Sequence, residues 1–182
     1  MNILLTGGAG YIGTHTAIEL MNAGHAVIVV DNLSNSSAEA LRRVENISGQ
    51  KIPFYESDVR NEPALDDIFA NNKIDGVIHF AGLKSVGDSV AKPLEYYENN
   101  IDSTLVLVKT MQKHGVNRLV FSSSATVYGA PSELPLTESS QVGVGITNPY
   151  GWTKFMNEVV STDIAHANHG LEITILRYFN PV

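Results

Sequence analysis

The chain contains no cysteine among its 182 residues. That excludes disulfides, a thiolate nucleophile and a cysteine-based metal site. Positive charge is short as well: 12 Lys and Arg face 19 Asp and Glu, a formal net charge of −7. No Lys/Arg cluster offsets that balance, so a phosphate backbone is repelled and nucleic acid is not an expected partner. No apolar run is long enough to cross a bilayer, and no membrane association is expected. The opening Met1-Asn2-Ile3-Leu4-Leu5-Thr6 carries no basic flank and reaches glycines too soon for a signal peptide. A cytoplasmic protein is the default expectation. The six histidines, His15, His25, His79, His114, His166 and His169, are scattered. His166 and His169 are three apart, but no carboxylate joins them at metal-ligand spacing. They read as surface or locally bonded residues, and no metal is expected.

What is present is an ordinary globular composition, 43% hydrophobic and 17% charged. The length suits one domain burying ~70% of its unfolded surface. Short apolar runs at Ile3–Leu5, Ala26–Val30, Ile52–Tyr55, Val77–Phe80, Leu119–Phe121 and Ile173–Leu176 read as strands. Several are continuous β-branched or aromatic runs, as expected of strands covered on both faces. Helices are expected near 12–23, 37–47, 62–71, 93–113 and 150–168. The fourth carries an apolar stripe at Leu94, Tyr97, Ile101, Leu105 and Val108. The fifth carries one at Trp152, Phe155, Met156, Val159 and Val160, expected to be its packing face. This alternation predicts an α/β fold: a doubly wound parallel sheet of about six strands, helices on both faces and right-handed crossovers. Residues 129–149 form the one long loop, a place where function often resides. Such sheets bind ligands beyond the carboxyl ends of their strands.

Beyond the first strand stands Thr6-Gly7-Gly8-Ala9-Gly10-Tyr11-Ile12-Gly13. Gly8, Gly10 and Gly13 match G-x-G-x-x-G, and Gly7, Gly10 and Gly13 match G-x-x-G-x-x-G. Either pattern permits a tight turn, close approach of backbone to a pyrophosphate, and a helix N-terminus aimed at the anion. Its place between a strand and a helix in the first β–α unit favours a Rossmann dinucleotide site over a tight turn that holds no ligand. The second strand ends at Asp31, whose carboxylate can accept both hydroxyls of an adenosine ribose and would repel a 2′-phosphate. NAD is therefore favoured over NADP; otherwise Asp31 simply begins a turn with Asn32. Ser57-Asp58-Val59 after the third strand could offer a carboxylate and backbone to an adenine edge. Phe80-Ala81-Gly82-Leu83-Lys84 follows the fourth strand, with Lys84 either a solvated charge or a phosphate or ribose contact.

The fifth strand runs into Ser122-Ser123-Ser124. These hydroxyls either satisfy local backbone groups or serve a substrate oxygen. Pro149 suits a first helical position, placing Tyr150 in the first turn and Lys154 one turn on, on the same face. Counted at 100° per residue, that face lies roughly opposite the apolar stripe. A nearby ammonium and the positive ring of an oxidised nicotinamide both favour phenolate over phenol. Tyr150 is thus expected to have a lowered pKa and to act as a general base.

Together, Thr6 through Gly13, Asp31-Asn32, His79 through Lys84, Ser122 through Gly129, the Tyr150/Lys154 pair and Arg177-Tyr178-Phe179-Asn180-Pro181 carry a resemblance that runs the length of the chain. They resemble the extended short-chain dehydrogenase/reductases, and among these the sugar-nucleotide 4-epimerases. The resemblance implies NAD as cofactor, lined by Gly7, Gly10, Tyr11, Ile12, Gly13, Asp31, Asn32, Leu33, Ser34, Asn35, Ser36, Asp58, Val59, Phe80 through Lys84, Asn99, Ser122, Tyr150 and Lys154. Phe179 would touch its nicotinamide end. It implies Ser124, Tyr150 and Lys154 as the catalytic trio. The UDP-sugar would be met by Lys84, Ser124, Tyr150 and Asn180. It also implies a homodimer through the fourth and fifth helices. The implied reaction is epimerisation at C4 of a UDP-hexose. Relatives that dehydrate instead carry acidic residues where this chain has Ala125 and Thr126. The remaining alternatives are an NAD-dependent sugar-nucleotide dehydratase, reductase or oxidase, or a non-catalytic NAD-binding module. Ser103 stands where family members usually carry glycine. Residues 1–182 would then be the NAD-binding portion, without the substrate domain, and turn over poorly alone.

Overall fold

The computed structural model describes residues 1–131, 133–167 and 170–181. His169 and residue 168, the expected end of the last helix, lie outside the described residues. The elements alternate: β1 (Asn2–Thr6), α1 (Tyr11–Asn22), β2 (Ala26–Asp31), α2 (Ala38–Ser48), β3 (Phe54–Glu56), α3 (Glu62–Asn71), β4 (Gly76–His79), α4 (Val86–Ala91), α5 (Pro93–Lys113), β5 (Arg118–Ser124), α6 (Pro149–Ala167) and β6 (Glu172–Tyr178). The six strands form one parallel sheet in the order β3-β2-β1-β4-β5-β6. This is the doubly wound arrangement expected of the alternation. No helix among the described residues is long and apolar enough to cross a membrane.

Strand side chains alternate between faces, and two cores follow from that. Ile3, Leu5, Val27 and Val29 pack under Ala17, Met21, Leu41 and Val44 of α1 and α2. Leu4, Ile28, Val30, Val77 and Leu119 pack under α3 and α5 through Leu65, Phe69, Leu107 and Met111, with Ile164 of α6 against them.

The differences from the expected elements have local causes. β3 begins at Phe54 rather than Ile52 because Pro53 has no N–H to donate; its carbonyl only accepts from Val29. β5 extends through the serines, which pair in register with Leu176, Arg177 and Tyr178 of β6. Helix α4 was not expected: it has six residues, two of them Gly87 and Ser89, and the Ser85 hydroxyl accepts from Asp88 N at its start. A stretch this short shows no periodic stripe.

The expected packing face of α6 is wrong. Its buried residues are Gly151, Thr153, Lys154, Asn157, Glu158 and Ser161, while Met156 and Val159 are exposed. On α5 likewise, Tyr96, Asn100, Ser103, Thr104, Leu107 and Met111 are buried with Val108, while Leu94 and Leu105 face outward. Hydrogen bonding decides this. Asn100 Nδ2 donates to Thr153 Oγ1 at 3.0 Å, and Asn157 Nδ2 donates to the Asn100 carbonyl at 2.9 Å. The two helices therefore meet through polar side chains, bonded at Asn100, Thr153 and Asn157 Nδ2 though not at Asn157 Oδ1 or Ser161 Oγ, and Leu94, Leu105, Met156 and Val159 are left on the outside. Ser103 is buried even so, its hydroxyl turned onto the Asn100 carbonyl.

Candidate active site

The strand order reverses between β1 and β4, and a cleft of about 560 Å³ opens there along the carboxyl ends of the strands. One wall is the glycine turn. Gly7 has φ +67°, and a Cβ on it would lie 2.7 Å from the Ala81 nitrogen. A Cβ on Gly13 would lie 2.7 Å from the Gly8 Cα, so the seat of α1 against the turn needs a bare residue. No side chain caps α1 at Gly10, and its first turn holds no acid. Its leading N–H groups are thereby left for an anion.

Asp31 closes the far end of the turn. Its Oδ2 accepts from Ala9 N at 3.0 Å; its Oδ1 accepts from Leu33 N at 2.9 Å and Ser36 Oγ at 2.8 Å. The carboxylate is thus fixed in place with accepting capacity left on Oδ2, since each oxygen has two lone pairs. Asn32, Ser34 and Asn35 line the cleft beside it. Leu33 and Ser36 do not. Leu33 packs into the core under α1 and α2, and Ser36 spends its hydroxyl on Asp31.

Asp58 and Val59 line the same end. Asp58 is gripped by Arg60, through Nε at 2.9 Å and Nη2 at 2.8 Å, and by Asn32 Nδ2 at 3.1 Å. The Arg60 side chain beside it pulls its pKa down to about 2. Phe80 through Lys84 run along the floor, with Lys84 exposed at the rim. Asn99 lines the cleft, and its neighbour Asn100 fixes the loop: Leu83 N donates to Asn100 Oδ1 at 2.8 Å and Asn100 Nδ2 donates back to Leu83 O at 3.0 Å.

The opposite wall carries Ser122, Ser124, Tyr150 and Lys154. Thr126 N and Thr126 Oγ1 donate to Ser124 Oγ at 3.2 and 3.0 Å. That leaves the Ser124 proton for the Tyr150 oxygen, whose phenolate it favours. Lys154 is 6% exposed and donates to the Ser122 carbonyl at 2.7 Å. Burial pushes its pKa down to about 8. Its Nζ is 5.0 Å from the Phe121 ring centroid and 5.9 Å from that of Tyr150.

The expected fall in the Tyr150 pKa is not seen in the protein by itself. Burial raises it, the Ser124 hydrogen bond works against that, and Tyr96 adds to the rise. Desolvation of the phenolate outweighs the polar help the chain supplies.

Asn180 reaches the cleft mouth with Tyr178 and Pro181. Phe179 does not: it is 59% exposed and its ring lies 6.0 Å from that of Tyr128. Tyr178, the last residue of β6, lines the cleft instead. Sequence reasoning also missed Thr126, visible only as a hydroxyl two residues past Ser124. It missed His79 too, which is fully buried. The Thr6 hydroxyl and His79 Nδ1 are 2.6 Å apart, with Thr104 3.3 Å from Nε2, and burial together with Lys154 lowers the His79 pKa to about 3.

Comparison with known proteins fits this geometry. Residues 3–182 match the model of the NAD dependent epimerase/dehydratase family. The chain is 55% identical over 181 residues to a UDP-glucose 4-epimerase of Bacillus subtilis (strain 168), covering 100% of this chain and 53% of that protein. It is 58% identical over 182 residues to a UDP-glucose 4-epimerase of Pasteurella multocida (strain Pm70), covering 100% and 54%. Its fold is similar to the crystal structure of a UDP-glucose 4-epimerase from Bifidobacterium longum in complex with NAD+ and UDP. The TM-score there is 0.98 at 57% identity, over 100% of this chain and 54% of that one. The chain spans about half the length of the curated relatives it matches.

Proposed function

The chain belongs to the NAD dependent epimerase/dehydratase family, and on that premise we propose that it is the NAD-binding portion of an enzyme that inverts C4 of a UDP-hexose, interconverting UDP-glucose and UDP-galactose. The observation that carries this is the meeting of Ser124, Tyr150 and Lys154 on one wall of the cleft whose other wall is the glycine turn.

The residues present fit NAD. The uncapped start of α1 and the bare Gly7 accept a pyrophosphate, and the remaining capacity of Asp31 suits ribose hydroxyls rather than a 2′-phosphate. Asp58, Asn32 and Val59 would face the adenine, and Lys84, Asn99 and Ser122 the centre of the dinucleotide. When bound, NAD would supply a hydride acceptor for C4 and, once reduced, a hydride donor to the 4-keto sugar, with no net oxidation. The chain's own part is proton transfer: Tyr150, as phenolate, takes the proton of the 4-hydroxyl, and Ser124 donates to or relays from the same oxygen. Lys154 and the coenzyme ring together supply the positive charge that favours phenolate. Asn180 would meet the nucleotide phosphates.

Dehydration, the other activity in the family's description, needs an extra acid and base after Ser124. Those places hold Ala125, which has no proton to give, and Thr126, already committed to Ser124. The outward apolar residues of α5 and α6 suit a homodimer of the full-length protein. We place complete turnover in that longer protein and expect the 182-residue chain alone to bind NAD and turn over poorly. The deciding experiment incubates the full-length protein with UDP-galactose and identifies the product. UDP-glucose, with NAD retained on the protein, is expected; a 4-keto-6-deoxy sugar nucleotide would overturn the assignment.

A further inference from the structure

Glu158 lies on the buried face of α6, one turn beyond Lys154, and is 5% exposed. The chemistry above makes no use of it. Arg177 of β6 meets it with Nη2 to Oε2 at 2.8 Å and Nε to Oε1 at 3.1 Å. The Ser123 hydroxyl donates to Oε1 at 2.5 Å. Ser123 and Arg177 are register partners on β5 and β6, so two adjacent strand positions converge on one helix carboxylate. Arg177 then reaches further. Its Nη1 donates to the Tyr128 hydroxyl at 3.1 Å and the Glu138 carbonyl at 3.4 Å, with the guanidinium carbon 5.0 Å over the Tyr128 ring. The Tyr128 hydroxyl donates to the Thr137 carbonyl at 3.1 Å.

One ion pair therefore joins α6, β5, β6 and the 129–149 loop that leads into Tyr150. As a stability device it is a poor choice, because a well-packed apolar pair in its place is commonly neutral or better. What an apolar pair does not do is fix direction, and a two-pronged guanidinium–carboxylate contact does. The strand it grips matters. On one side of Ser123 is the Ser122 carbonyl that holds the Lys154 ammonium; on the other is the Ser124 hydroxyl, which lines the cleft with Tyr150 and favours its phenolate.

We propose that the Glu158–Arg177 pair is a positioning device, setting the spacing between α6, with Tyr150 and Lys154, and β5, with Ser124, and pinning the loop at Tyr128. It acts through those three side chains and touches neither coenzyme nor sugar, and it rests on the proton-transfer role assigned above to Tyr150 and Ser124.

The test uses the full-length protein with Glu158→Gln, Arg177→Met and the double variant Glu158→Leu/Arg177→Met. Each single change leaves a buried group without its partner and lowers the melting temperature. The double change removes both charges and restores it. If the pair positions, the double variant melts near the parent yet loses kcat by about 100-fold, the cost of a small misplacement, with KM little changed. The Tyr150 phenolate midpoint, taken as the absorbance titration of each protein minus that of its Tyr150→Phe counterpart, also moves up as the Ser124 hydrogen bond weakens. Lys154 and Tyr96, the other titrating groups around Tyr150, are untouched by these changes. A double variant that recovers turnover and midpoint together with stability overturns the proposal. Should the double variant not fold, Glu158→Gln, which removes the charge of the pair and keeps the side chain's shape, carries the same measurement: a raised midpoint is expected, and an unmoved one refutes the role. A parent protein without epimerase activity would refute the functional assignment, while the midpoint still decides the positioning.

Discussion

Lys154 holds its ammonium 5.9 Å from the centroid of the Tyr150 ring, yet gives its hydrogen bond to the carbonyl of Ser122 at 2.7 Å. The cation is near the phenol without being bonded to it. Burial of the phenol therefore prevails in the protein alone, and the tyrosine pKa rises. The positive ring of oxidised coenzyme is the further charge that would reverse this. Titrating the phenolate absorbance of full-length protein against Tyr150→Phe tests it. Stripped of nucleotide, the midpoint lies above the ordinary ~10; with NAD it falls, and with NADH it does not. A neutral midpoint in nucleotide-free protein would contradict the account. Tyr150→Phe itself is expected to lower kcat by about 10²–10⁴-fold, the usual share of general base catalysis, and to leave NAD bound.

Lys154 also carries a stability signature. Its folded pKa is about 8 and its ordinary value 10.5. Between these the unfolded chain binds a proton that the folded one does not, so stability rises with pH across that window, by at most ~1.4 kcal/mol per pH unit. Tyr150 and Tyr178, both with raised pKa, reverse the trend above about pH 10. Denaturant melts of parent and Lys154→Met between pH 7.5 and about 10 should show a slope in the parent that the variant lacks. Parallel profiles would mean that the ammonium is better solvated than its 6% exposure indicates.

Much of this fold could be read in the sequence because the strands are near-continuous apolar runs and glycines mark the first turn. The cleft residues Gly7, Asp31, Asp58 and Tyr150 were legible for a related reason: each follows a strand or opens a helix, where topology places ligands. What stayed hidden depends on partners far along the chain. The face of α6 was misjudged because apolar periodicity signals burial only when the competing face has no partners. Here Asn100, Thr153 and Asn157 supply one another across two helices. Glu158 and Arg177 show their pairing only once β6 lies beside β5.

His79 predicts an acid limit. It is buried between Thr6 and Thr104 with a folded pKa of about 3, against 6.5 ordinarily. Below pH 6.5 the unfolded chain takes a proton that the fold refuses, so stability falls with acid, by up to ~1.4 kcal/mol per pH unit, until the folded value is reached. His79→Gln retains hydrogen-bonding capacity without the charge. Its stability between pH 6.5 and 4 should fall less steeply than the parent's, by about one proton's worth. Equal slopes would assign the acid sensitivity to the carboxylates, Asp58 with its pKa of about 2 among them.

The outward stripes give the last prediction. Leu94 is 68% exposed and Leu105 43% on α5; Met156 is 41% and Val159 43% on α6. α5 and α6 pack against each other, and each leaves apolar side chains exposed. Exposed apolar side chains gathered on two adjacent helices suit a contact site. A second copy offering the same two helices makes a self-complementary four-helix contact. Introducing Leu105→Glu with Met156→Glu sets like charges against each other across such an axis and leaves the cleft untouched. Light scattering of the full-length protein should change from dimer to monomer mass, with NAD still bound. A dimer that survives both charges would place the contact elsewhere and leave these stripes for another partner.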